Sequence, residues 1–551
     1  MPVINFKYSD LCSLIGEEVP RDTLIDRIPM IGADMHDTDG NEDDMSVEFF
    51  PDRPDLYSVE GLARSLRAFL DIEPGMTEYE IRDTDITVNA EKSVKDVRPY
   101  ILCAAVHDID VTDDLLRSLM EMQEKLHITI GRKRTKVAIG VHDLDKVAAP
   151  FRYKAVRPGE ISFVPLAKDE KWNLDEILKK HEKGVDYAHI LEGKERYPII
   201  LDAKDNVLSF PPIINGSLTT VTTNTKNLFI DVTGTDIKAV KGALDILVTS
   251  LAERGGSIGS VKMTGSLETI SPNLTPAERK INIAACEKFI GRPIGADGIV
   301  KALKRMGLDA ARDGDDIFVL IPSTRLDVMH DVDIYEDAAT GYGFENFGSA
   351  YVLTQTAGRK SDMTMISDRL RDVMIGSGYT EVTTLTLSSE DDEFTISGLP
   401  EKGVVKIKNP ITEDHTCLRS SLLPSVMRIV RKNKHRDLPQ RVFEIGDSIV
   451  EAKRQRRLCG VATNSKVSFT EMKSLTESIL KEMRLTYSLR PCKYRTFIDG
   501  RGAEIVSDDV VIGYFGEMSP EVMIDFDVNH PVMFFELDIS EIGKRLSVGL
   551  F

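Results

Sequence analysis

The sequence has little of the chemistry that builds metal ribbons, disulfide frameworks or membrane spans. Its 551 residues include 6 cysteines, each standing alone, so no Cys-x-x-Cys pair marks a zinc ribbon or a disulfide scaffold. No apolar run is long enough to cross a bilayer, and the opening Met-Pro-Val-Ile-Asn-Phe-Lys lacks the basic start and apolar core of a secretory signal. These absences predict a soluble, cytoplasmic protein with reduced thiols and no membrane contact.

Positive charge is also scarce. Lysine and arginine number 70 against 89 acidic residues, which gives a net charge of −19 and a pI near 5.1. A protein that coats nucleic acid along its whole surface is therefore excluded, because such binding neutralises phosphates; a local basic patch is not. The 42% hydrophobic share permits sizeable cores, and the length predicts roughly three to five domains.

The most informative stretch runs from 322 to 347, where a predicted strand leads into an acidic helix. The pattern predicts a helix from Val332, with Asp331 as the N-cap and Gly341 as the C′ residue. The apolar run before it, Ile-Phe-Val-Leu-Ile, is typical of a strand.

Four carboxylates mark this stretch as a candidate cation site. Asp333, Glu336 and Asp337 stand at i, i+3 and i+4 and share one helix face, and Asp327 lies six residues upstream, where the chain can fold back over that face. Like charges at this spacing repel, so the group favours a hard ion such as Mg²⁺ or Ca²⁺. The alternative is an ordinary acidic first turn, favoured by the helix dipole.

A second well-defined stretch runs from 49 to 70. Two prolines fix a turn, Ser58 is placed to cap a helix, and Leu62, Leu66 and Phe69 share one face of it. On residues alone this is a loop-to-helix junction.

The middle of the chain predicts strands with polar tips that could line a pocket. Ser209 follows one strand-like run, and Asp231 and Thr233 alternate so that they face one side of another. Ordinary strand-end polarity is the alternative. His142 and Asp143 follow an apolar strand, but a lone His-Asp pair is weak evidence for acid–base chemistry. A basic cluster before that strand is either a phosphate contact or a solvated turn: Arg132, Lys133, Arg134 and Lys136.

Two motifs together resemble one protein family. Pro322-Ser-Thr-Arg-Leu-Asp-Val with Asp333-Ile-Tyr-Glu-Asp and Gly341-Tyr-Gly resembles the metal-bearing domain of phenylalanine–tRNA ligase β subunits, and Pro51-Asp-Arg-Pro-Asp resembles a segment near the N-terminus of the archaeal and eukaryotic cytosolic type. By position, the resemblance implies that Mg²⁺ is held near the partner contact by Asp327, Asp333, Glu336 and Asp337. It also implies an editing pocket that removes tyrosine from mischarged tRNA, with Leu201, Ser209, Asp231 and Thr233 as candidates.

The last 200 or so residues resemble a class II aminoacyl-tRNA synthetase core that lacks the catalytic residues of that core. A working core has Phe-Arg-x-Glu, whereas Arg441 and Glu444 are three apart and must face opposite sides of a strand. In Gly500-Arg-Gly-Ala-Glu-Ile, Ile505 stands where the phosphate-binding arginine belongs. The fold is therefore expected without aminoacylation residues. A nearby helix is rich in cations that face either tRNA or solvent: Arg428, Arg431, Lys432, Lys434 and Arg436.

The combined prediction is an α+β multidomain chain. An N-terminal α/β domain spans 1–95, an editing-type α/β domain 96–270, a winged-helix-like metal-bearing domain 271–348, and a non-catalytic class II-like antiparallel sheet with helices 349–551.

The resemblance implies a function shared with a second chain. The α subunit binds ATP and phenylalanine and charges the tRNA for phenylalanine within an α2β2 heterotetramer, while β contributes assembly, Mg²⁺ and editing. One rival is a non-catalytic structural or tRNA-binding protein with a synthetase-like fold. Another is a free-standing Mg²⁺-dependent phosphohydrolase, which the lack of a cation or nucleophile beside the acids disfavours.

Overall fold

The computed structural model describes residues 2–36, 43–352, 354, 356–401 and 403–546. It divides into two compact units, residues 1–351 and 352–551, and both mix helices with sheets, as the predicted α+β class requires. Among the described residues, no helix is long and apolar enough to cross a membrane.

The N-terminal segment is a small sheet with helices. Its strands pair antiparallel in the order β1-β3-β2. Ser58 caps the third helix by accepting a hydrogen bond from the Gly61 N–H at 3.2 Å, and the predicted face of Leu62, Leu66 and Phe69 is buried, which confirms that junction. The elements are β1 (Val3–Lys7), α1 (Tyr8–Ile15), α2 (Arg21–Arg27), β2 (Ala33–His36), β3 (Asp44–Phe49) and α3 (Val59–Phe69).

The central segment holds two further sheets. Its elements are β4 (Ile81–Arg82), β5 (Thr87–Ala90), β6 (Tyr100–His107), α4 (Asp113–Ile128), β7 (Val137–Asp143), β8 (Phe151–Val156), β9 (Ser162–Phe163), β10 (Trp172–Asn173), α5 (Leu174–Lys180), α6 (Glu182–Tyr187), β11 (Tyr197–Leu201), β12 (Val207–Phe210), β13 (Ile214–Asn215), β14 (Leu228–Gly234), α7 (Ile237–Glu253), β15 (Ser257–Gly259), β16 (Val261–Gly265) and β17 (Thr269–Ser271). One sheet has the order β4-β15-β6-β14-β7, and the other β13-β12-β11-β8-β5-β16-β17. β4 and β5 precede the predicted domain boundary at 95, yet they pair with β15, β16 and β8 beyond it.

The next segment packs three helices with an antiparallel sheet of order β18-β20-β19. Its elements are β18 (Ala277–Asn282), α8 (Ile283–Ile290), α9 (Gly295–Arg305), β19 (Asp309–Asp313), β20 (Asp316–Ile321) and α10 (Asp331–Tyr342). From the sequence alone, the pattern of residues 276–289 predicts one helix. The first half of that prediction is wrong, because residues 277–282 pair with β20 as a strand, and the helix begins only at Ile283, where the Asn282 side chain accepts from the Ala285 N–H.

The acidic helix also begins and ends at residues other than those predicted from the sequence. His330 is the N-cap, and Asp331 is the first helical residue. The helix continues through Gly341. This position needs glycine because it packs closely on the Ala302 carbonyl of α9, and a Cβ atom at 341 would clash with that carbonyl. Gly343 ends the helix instead, with φ of 93°.

The second unit is built on one long sheet of order β21-β24-β25-β29-β28-β27-β26, antiparallel except for the β21–β24 pair. Its elements are α11 (Asp362–Gly376), β21 (Thr380–Glu381), β22 (Leu387–Ser388), β23 (Cys417–Leu418), α12 (Leu423–Lys432), β24 (Gln440–Val450), β25 (Lys453–Thr463), α13 (Phe469–Glu482), β26 (Ser488–Pro491), β27 (Phe497–Ser507), β28 (Val510–Met518), α14 (Pro520–Asp525), β29 (Val532–Asp538) and α15 (Ile539–Arg545). Phe535 packs with residues of α11 and α13, while its neighbour Phe534 packs with residues of α12 and α14, so both sheet faces are covered.

Candidate functional site

The site is organised by β14, an apolar strand hydrogen-bonded on both sides. β14 lies between β6 and β7 and is buried along its whole length. Asp231 and Thr233 are two residues apart and therefore share a face, as predicted. Their partners on β7 are Gly140 and Ala138, and these small residues leave space above the sheet.

That space is a cavity of about 390 Å³. Asp231, Thr233 and Ser209 all line it, so the structure brings three of the four predicted pocket residues together. Much of the remaining wall is apolar and comes from α4, β7 and the β12–β13 turn: Met120, Ala138, Ile139, Phe210, Pro211, Pro212, Ile213 and Ile214.

Leu201 is placed differently from the other three candidates. It ends β11, is 1% exposed and belongs to the apolar cluster that contains Val207 and Phe210. Because Phe210 also lines the cavity, Leu201 is connected to the cavity wall through packing.

Asp231 is part of a buried hydrogen-bonded chain. His142 Nε2 lies 2.7 Å from Asp231 Oδ1, and His142 Nδ1 lies 2.7 Å from the Thr219 hydroxyl. His142 is 0% exposed and Asp231 is 1% exposed. Asp143, the neighbour of His142 in the sequence, is not part of this chain of hydrogen bonds: its carboxylate accepts from the Thr225 hydroxyl. His142 and Asp231 are 89 residues apart, and no local pattern in the sequence connects them.

Gly140 gives the cavity access to this pair. A Cβ atom at position 140 would collide with Asp231 Oδ1 and come within 2.7 Å of His142 Nε2. Any larger residue would therefore displace the Asp–His contact. The sequence signal that could have found Gly140 is a glycine inside a run of otherwise apolar strand residues.

Thr233 is held from behind by a buried arginine. Arg98 Nε donates to the Thr233 hydroxyl at 2.9 Å, and Nη2 donates to the Thr233 carbonyl at 2.8 Å. Arg98 is 1% exposed, and its burial lowers the pKa of the guanidinium to about 10. The Tyr153 hydroxyl donates to the Arg98 carbonyl at 2.7 Å, which fixes the segment that carries the arginine.

The rim of the cavity is formed by a left-handed turn. Arg132, Lys133 and Arg134 have φ of 46°, 54° and 64°, a conformation that side-chain-bearing residues rarely adopt in succession. The turn directs Arg134 inward, where it donates to the Ile213 carbonyl at 2.9 Å and stacks on the Tyr187 ring at 4.5 Å. Arg134 is thus a structural part of the rim, while Arg132 and Lys133 stay exposed.

His127 forms a second buried imidazole on the cavity wall. Its Nε2 accepts a hydrogen bond from the Ile139 N–H at 2.8 Å, which requires that nitrogen to be unprotonated. Burial lowers the His127 pKa to about 4. Glu124 lies 3.5 Å from His127 Nδ1, and its pKa is lowered to about 2 by the contact with His127 and by the nearby Arg134.

The arrangement can bind a flat apolar group and recognise a polar group on it. Apolar walls supply area, and Asp231, Thr233 and Ser209 supply oxygens at fixed positions. Among the described lining residues, serine and threonine hydroxyls are the nucleophile candidates, and neither Ser209 nor Thr233 is hydrogen-bonded to a general base.

The four predicted metal ligands do not converge. Asp327 and Asp337 both accept hydrogen bonds at 2.7 Å from Arg325 Nη2, and Asp337 is buried, which raises its pKa. Asp333 accepts from the N–H groups of Met329 and His330 at 2.7 and 2.6 Å, so it closes the helix start. Glu336 lies on the exposed helix face.

These contacts do not fit a ready-made Mg²⁺ site. The Arg325 guanidinium occupies the position between two of the four carboxylates that a cation would take. Throughout the described residues, no group of three or more His, Cys, Asp or Glu side chains is arranged to hold a metal ion. The Arg-x-Asp pair within the motif was visible in the sequence, and it could have signalled this ion pair.

The sheet of the second unit has the predicted departures from a synthetase site. Arg441 pairs with Glu471 at 2.9 Å, while Glu444, on the other strand face, pairs with Arg419 at 2.8 Å. Ile505 is fully buried. A further buried carboxylate, Glu536, accepts hydrogen bonds from protein groups alone: Ser421 Oγ, Tyr514 OH, Leu422 N and Arg457 Nη1.

Comparison with known proteins finds a family match along most of the chain. Residues 350–539 match the phenylalanyl-tRNA synthetase beta chain CLM domain, 279–344 the tRNA synthetase B5 domain and 116–250 the B3/4 domain. The phenylalanine–tRNA ligase beta subunit of Methanothrix thermoacetophila is 44% identical over 98% of this chain and 100% of its own length. The chain belongs to the family of phenylalanine–tRNA ligase beta subunits.

Other members support the same assignment. The phenylalanine–tRNA ligase beta subunit of Archaeoglobus fulgidus is 44% identical over 98% of both chains. A crystal structure of an N-terminal fragment of the phenylalanyl-tRNA synthetase beta subunit from Pyrococcus horikoshii is 38% identical, with a TM-score of 0.60, and covers 62% of this chain and 100% of the fragment. The family resemblance predicted from the motifs is thereby confirmed.

The family assignment also locates the features described above. The cavity around Asp231 lies mostly in the B3/4 match, the Arg325 ion pairs lie in the B5 match, and the sheet with Glu444 and Glu536 lies in the CLM match. Within the described residues, the B3/4 segment of this chain holds the cavity lined by Asp231, while the charged groups described above in the other two segments pair with one another.

Proposed function

We propose that this chain works as the β subunit of phenylalanine–tRNA ligase, with the α subunit forming the aminoacyl ester. Membership of the family supports the assembly, and the second unit supports the division of labour. Class II chemistry needs cations that neutralise a transferring phosphate, and here the corresponding strand positions carry Ile505 and an arginine paired with Glu471. The proposed partners are the α subunit in an α2β2 heterotetramer and the tRNA for phenylalanine, with ATP and phenylalanine bound through α.

The proposed compartment is the cytoplasm. All six cysteines are free thiols, and five of them are buried, which suits a reducing environment.

The proposed activity of the chain itself is removal of tyrosine from mischarged tRNA. An apolar pocket made for phenylalanine cannot strongly reject an analogue that only adds a hydroxyl, so a second site that binds the hydroxyl is needed. The single observation that carries this proposal is the Asp231 carboxylate, which lines a cavity of about 390 Å³ with largely apolar walls, large enough for an aromatic side chain. Its hydrogen-bond capacity suits a phenol and leaves a phenyl ring without a partner.

The proposed reaction is ester hydrolysis by water. Water adds to the ester carbonyl carbon, the bond from that carbon to the tRNA oxygen breaks, and the released tRNA oxygen takes up a proton. The chain's residues bind and orient the aminoacyl group: the apolar wall holds the ring, while Asp231, Thr233 and Ser209 offer fixed hydrogen-bonding groups. Leu201 contributes by supporting Phe210 from the core.

The test uses the chain in complex with a co-expressed α subunit. Tyrosine release from Tyr-tRNA is measured for the wild type, for Asp231→Asn and for the exposed control Asp169→Asn. We expect Asp231→Asn to lose most of the release rate, with charging of tRNA with phenylalanine unchanged. Equal rates in the wild type and Asp231→Asn would overturn the site, and no release by the wild type would leave the purely structural role.

The Mg²⁺ proposal is retained in a restricted form, for the complex with α. It requires Arg325 to release Asp327 and Asp337, and what supports it is the family motif together with the exposed position of Glu336. Calorimetric titration of Mg²⁺ into the isolated chain and into the complex tests it. Saturable binding by the complex alone is the expected result.

A further inference from the structure

The buried imidazole behind Asp231 is a strong candidate for a role in the proposed reaction. His142 does not line the cavity wall, since Asp231 and Gly140 stand between it and the space. It contacts Asp231 Oδ1 on one side and Thr219 on the other, and it is fully buried. Buried polar side chains that make no contact with solvent need every hydrogen bond satisfied, and this chain of groups satisfies both imidazole nitrogens.

We infer that His142, supported by Thr219, is the positioning residue that holds Asp231 with one carboxylate oxygen directed at the substrate. This inference rests on the proposed deacylation function and adds a residue to it. His142 Nε2 donates to Asp231 Oδ1. Among the described residues no donor reaches Asp231 Oδ2, so Oδ2 is the oxygen that remains available to a ligand.

Thr219 holds the imidazole from the side opposite Asp231. His142 Nε2–H donates to the Asp231 carboxylate at 2.7 Å, and the Thr219 hydroxyl lies 2.7 Å from His142 Nδ1. The Thr219 hydroxyl is itself within 3.4 Å of the Gly216 carbonyl. Because both ring nitrogens have a partner, the ring presents its N–H to Asp231 from one fixed position.

The other charged and titratable groups around the pair are fixed by their own partners. Arg98 approaches from the segment before β6 and is bonded to Thr233, Cys103 is the β6 partner of Asp231, and Tyr153 donates to the Arg98 carbonyl. Burial raises the pKa of the Cys103 thiol and of the Tyr153 phenol, so both stay protonated through the neutral range. Glu124, His127 and Arg134 complete the set at the rim.

The experiment measures tyrosine release from Tyr-tRNA by the α-containing complex. We expect His142→Ala to lower kcat about 100-fold, as Asp231→Asn does, because a carboxylate that has lost its hydrogen-bond partner is misplaced. His142→Gln keeps an N–H donor, so it should recover most of the kcat, which a merely space-filling role of His142 would not predict.

A second variant keeps the inference falsifiable where His142→Ala fails to fold. Thr219→Val conserves shape but removes the hydroxyl that contacts His142 Nδ1. The kcat of tyrosine release should therefore fall to a value between those of the wild type and Asp231→Asn, with charging by the complex unchanged. His107→Gln is the matched control, because His107 is a histidine of the same sheet bonded to Asn227, away from the cavity.

The outcomes separate this inference from the proposed function. Loss of release in Asp231→Asn together with wild-type kcat in His142→Ala, or with wild-type kcat in Thr219→Val, would overturn the role of His142 alone. Absence of release by the wild-type complex would overturn the proposed function first, and the positioning role with it.

Discussion

A buried carboxylate of the B3/4 segment, Asp231, and one of the synthetase-like sheet, Glu536, differ in how many hydrogen bonds they accept from the protein itself. Asp231 accepts from His142 through one oxygen and lines a cavity of about 390 Å³. Glu536 has both oxygens occupied by Ser421, Tyr514, Leu422 and Arg457. A buried acid can bind a ligand only where its hydrogen-bonding capacity exceeds what the protein itself supplies. By this criterion Asp231 suits the proposed binding role, whereas Glu536 makes structural contacts.

The largest expected effect tests the second region. Arg457→Met removes the buried cation beside Glu536, which is 0% exposed, and leaves a buried carboxylate without its charge partner. We expect a loss of about 3–5 kcal/mol in the stability of this unit. Thermal and urea unfolding of the full chain, read as separate transitions of the two units, measure it.

A double variant sharpens that result. Arg457→Met combined with Glu536→Gln removes both charges and should recover much of the lost stability, because an amide costs less to bury than an unpaired carboxylate. Equal stabilities for the single and the double variant would contradict a self-compensated charge pair. Arg454→Met is the control, since Arg454 is exposed and its pair with Asp447 lies at the surface.

Acid provides the second test, because the two regions should respond in different pH windows. The His127 pKa is lowered by burial to about 4 in the folded chain, so between about pH 6.5 and pH 4 the unfolded chain binds a proton that the folded chain does not. Stability should therefore fall as the pH falls through this window, by up to about 3 kcal/mol.

His127→Gln isolates this contribution. Glutamine does not titrate, so the variant should show a weaker fall in unfolding free energy between pH 7 and pH 4.5 than the wild type. Glu536 lies in the second region, and although burial raises its pKa, Arg457 and the hydroxyls of Ser421 and Tyr514 outweigh this and hold the pKa below the usual range of a glutamate. The stability that Glu536 contributes should therefore be lost only at a lower pH than the His127 window. A wild-type slope in His127→Gln would contradict the assignment.

The third test disturbs the contact between Asp231 and His142 without removing any polar group. Gly140→Ala adds one methyl between Asp231 Oδ1 and His142 Nε2, so the pair must separate. We expect tyrosine release by the complex to fall about 100-fold. Gly159→Ala is the matched control, because a Cβ atom at position 159 meets nothing within 4 Å. Unchanged release in Gly140→Ala would argue against the Asp–His contact as part of the site.

Local sequence patterns predicted helices and strands better than they predicted the contacts between distant segments. The sequence predicted α3 correctly, because a helix cap and an amphipathic face are both local features. Here they are Ser58 and the face formed by Leu62, Leu66 and Phe69. The alternation of Asp231 and Thr233 predicted their common face for the same reason. His142 and Thr219 could not be predicted as partners of Asp231, since strand pairing that joins distant segments is decided by the whole sheet.

Where the sequence misled, tertiary packing overrode a local signal. Residues 277–282 form β18 because β20 offers a strand to pair with, although the pattern favours a helix. Gly341 was predicted to end α10, but its missing side chain serves a close approach to α9. The metal motif is a different case: its four acids stay a predicted Mg²⁺ site, although Arg325, two residues before Asp327, already pairs with two of them.

The smallest expected effect concerns those acids. Because Arg325 already neutralises Asp327 and Asp337, removal of divalent ions with EDTA should change the melting temperature of the isolated chain by less than about 1 °C. Asp333→Ala should cost about 1 kcal/mol, because it removes the acceptor of the Met329 and His330 N–H groups and thus a helix cap. This cost should be the same with and without Mg²⁺. A Mg²⁺-dependent rise in melting temperature that Asp333→Ala abolishes would show that the isolated chain binds the ion. The carboxylates of the B5 segment would then resemble Asp231, because they too could bind a ligand in addition to their partners within the protein.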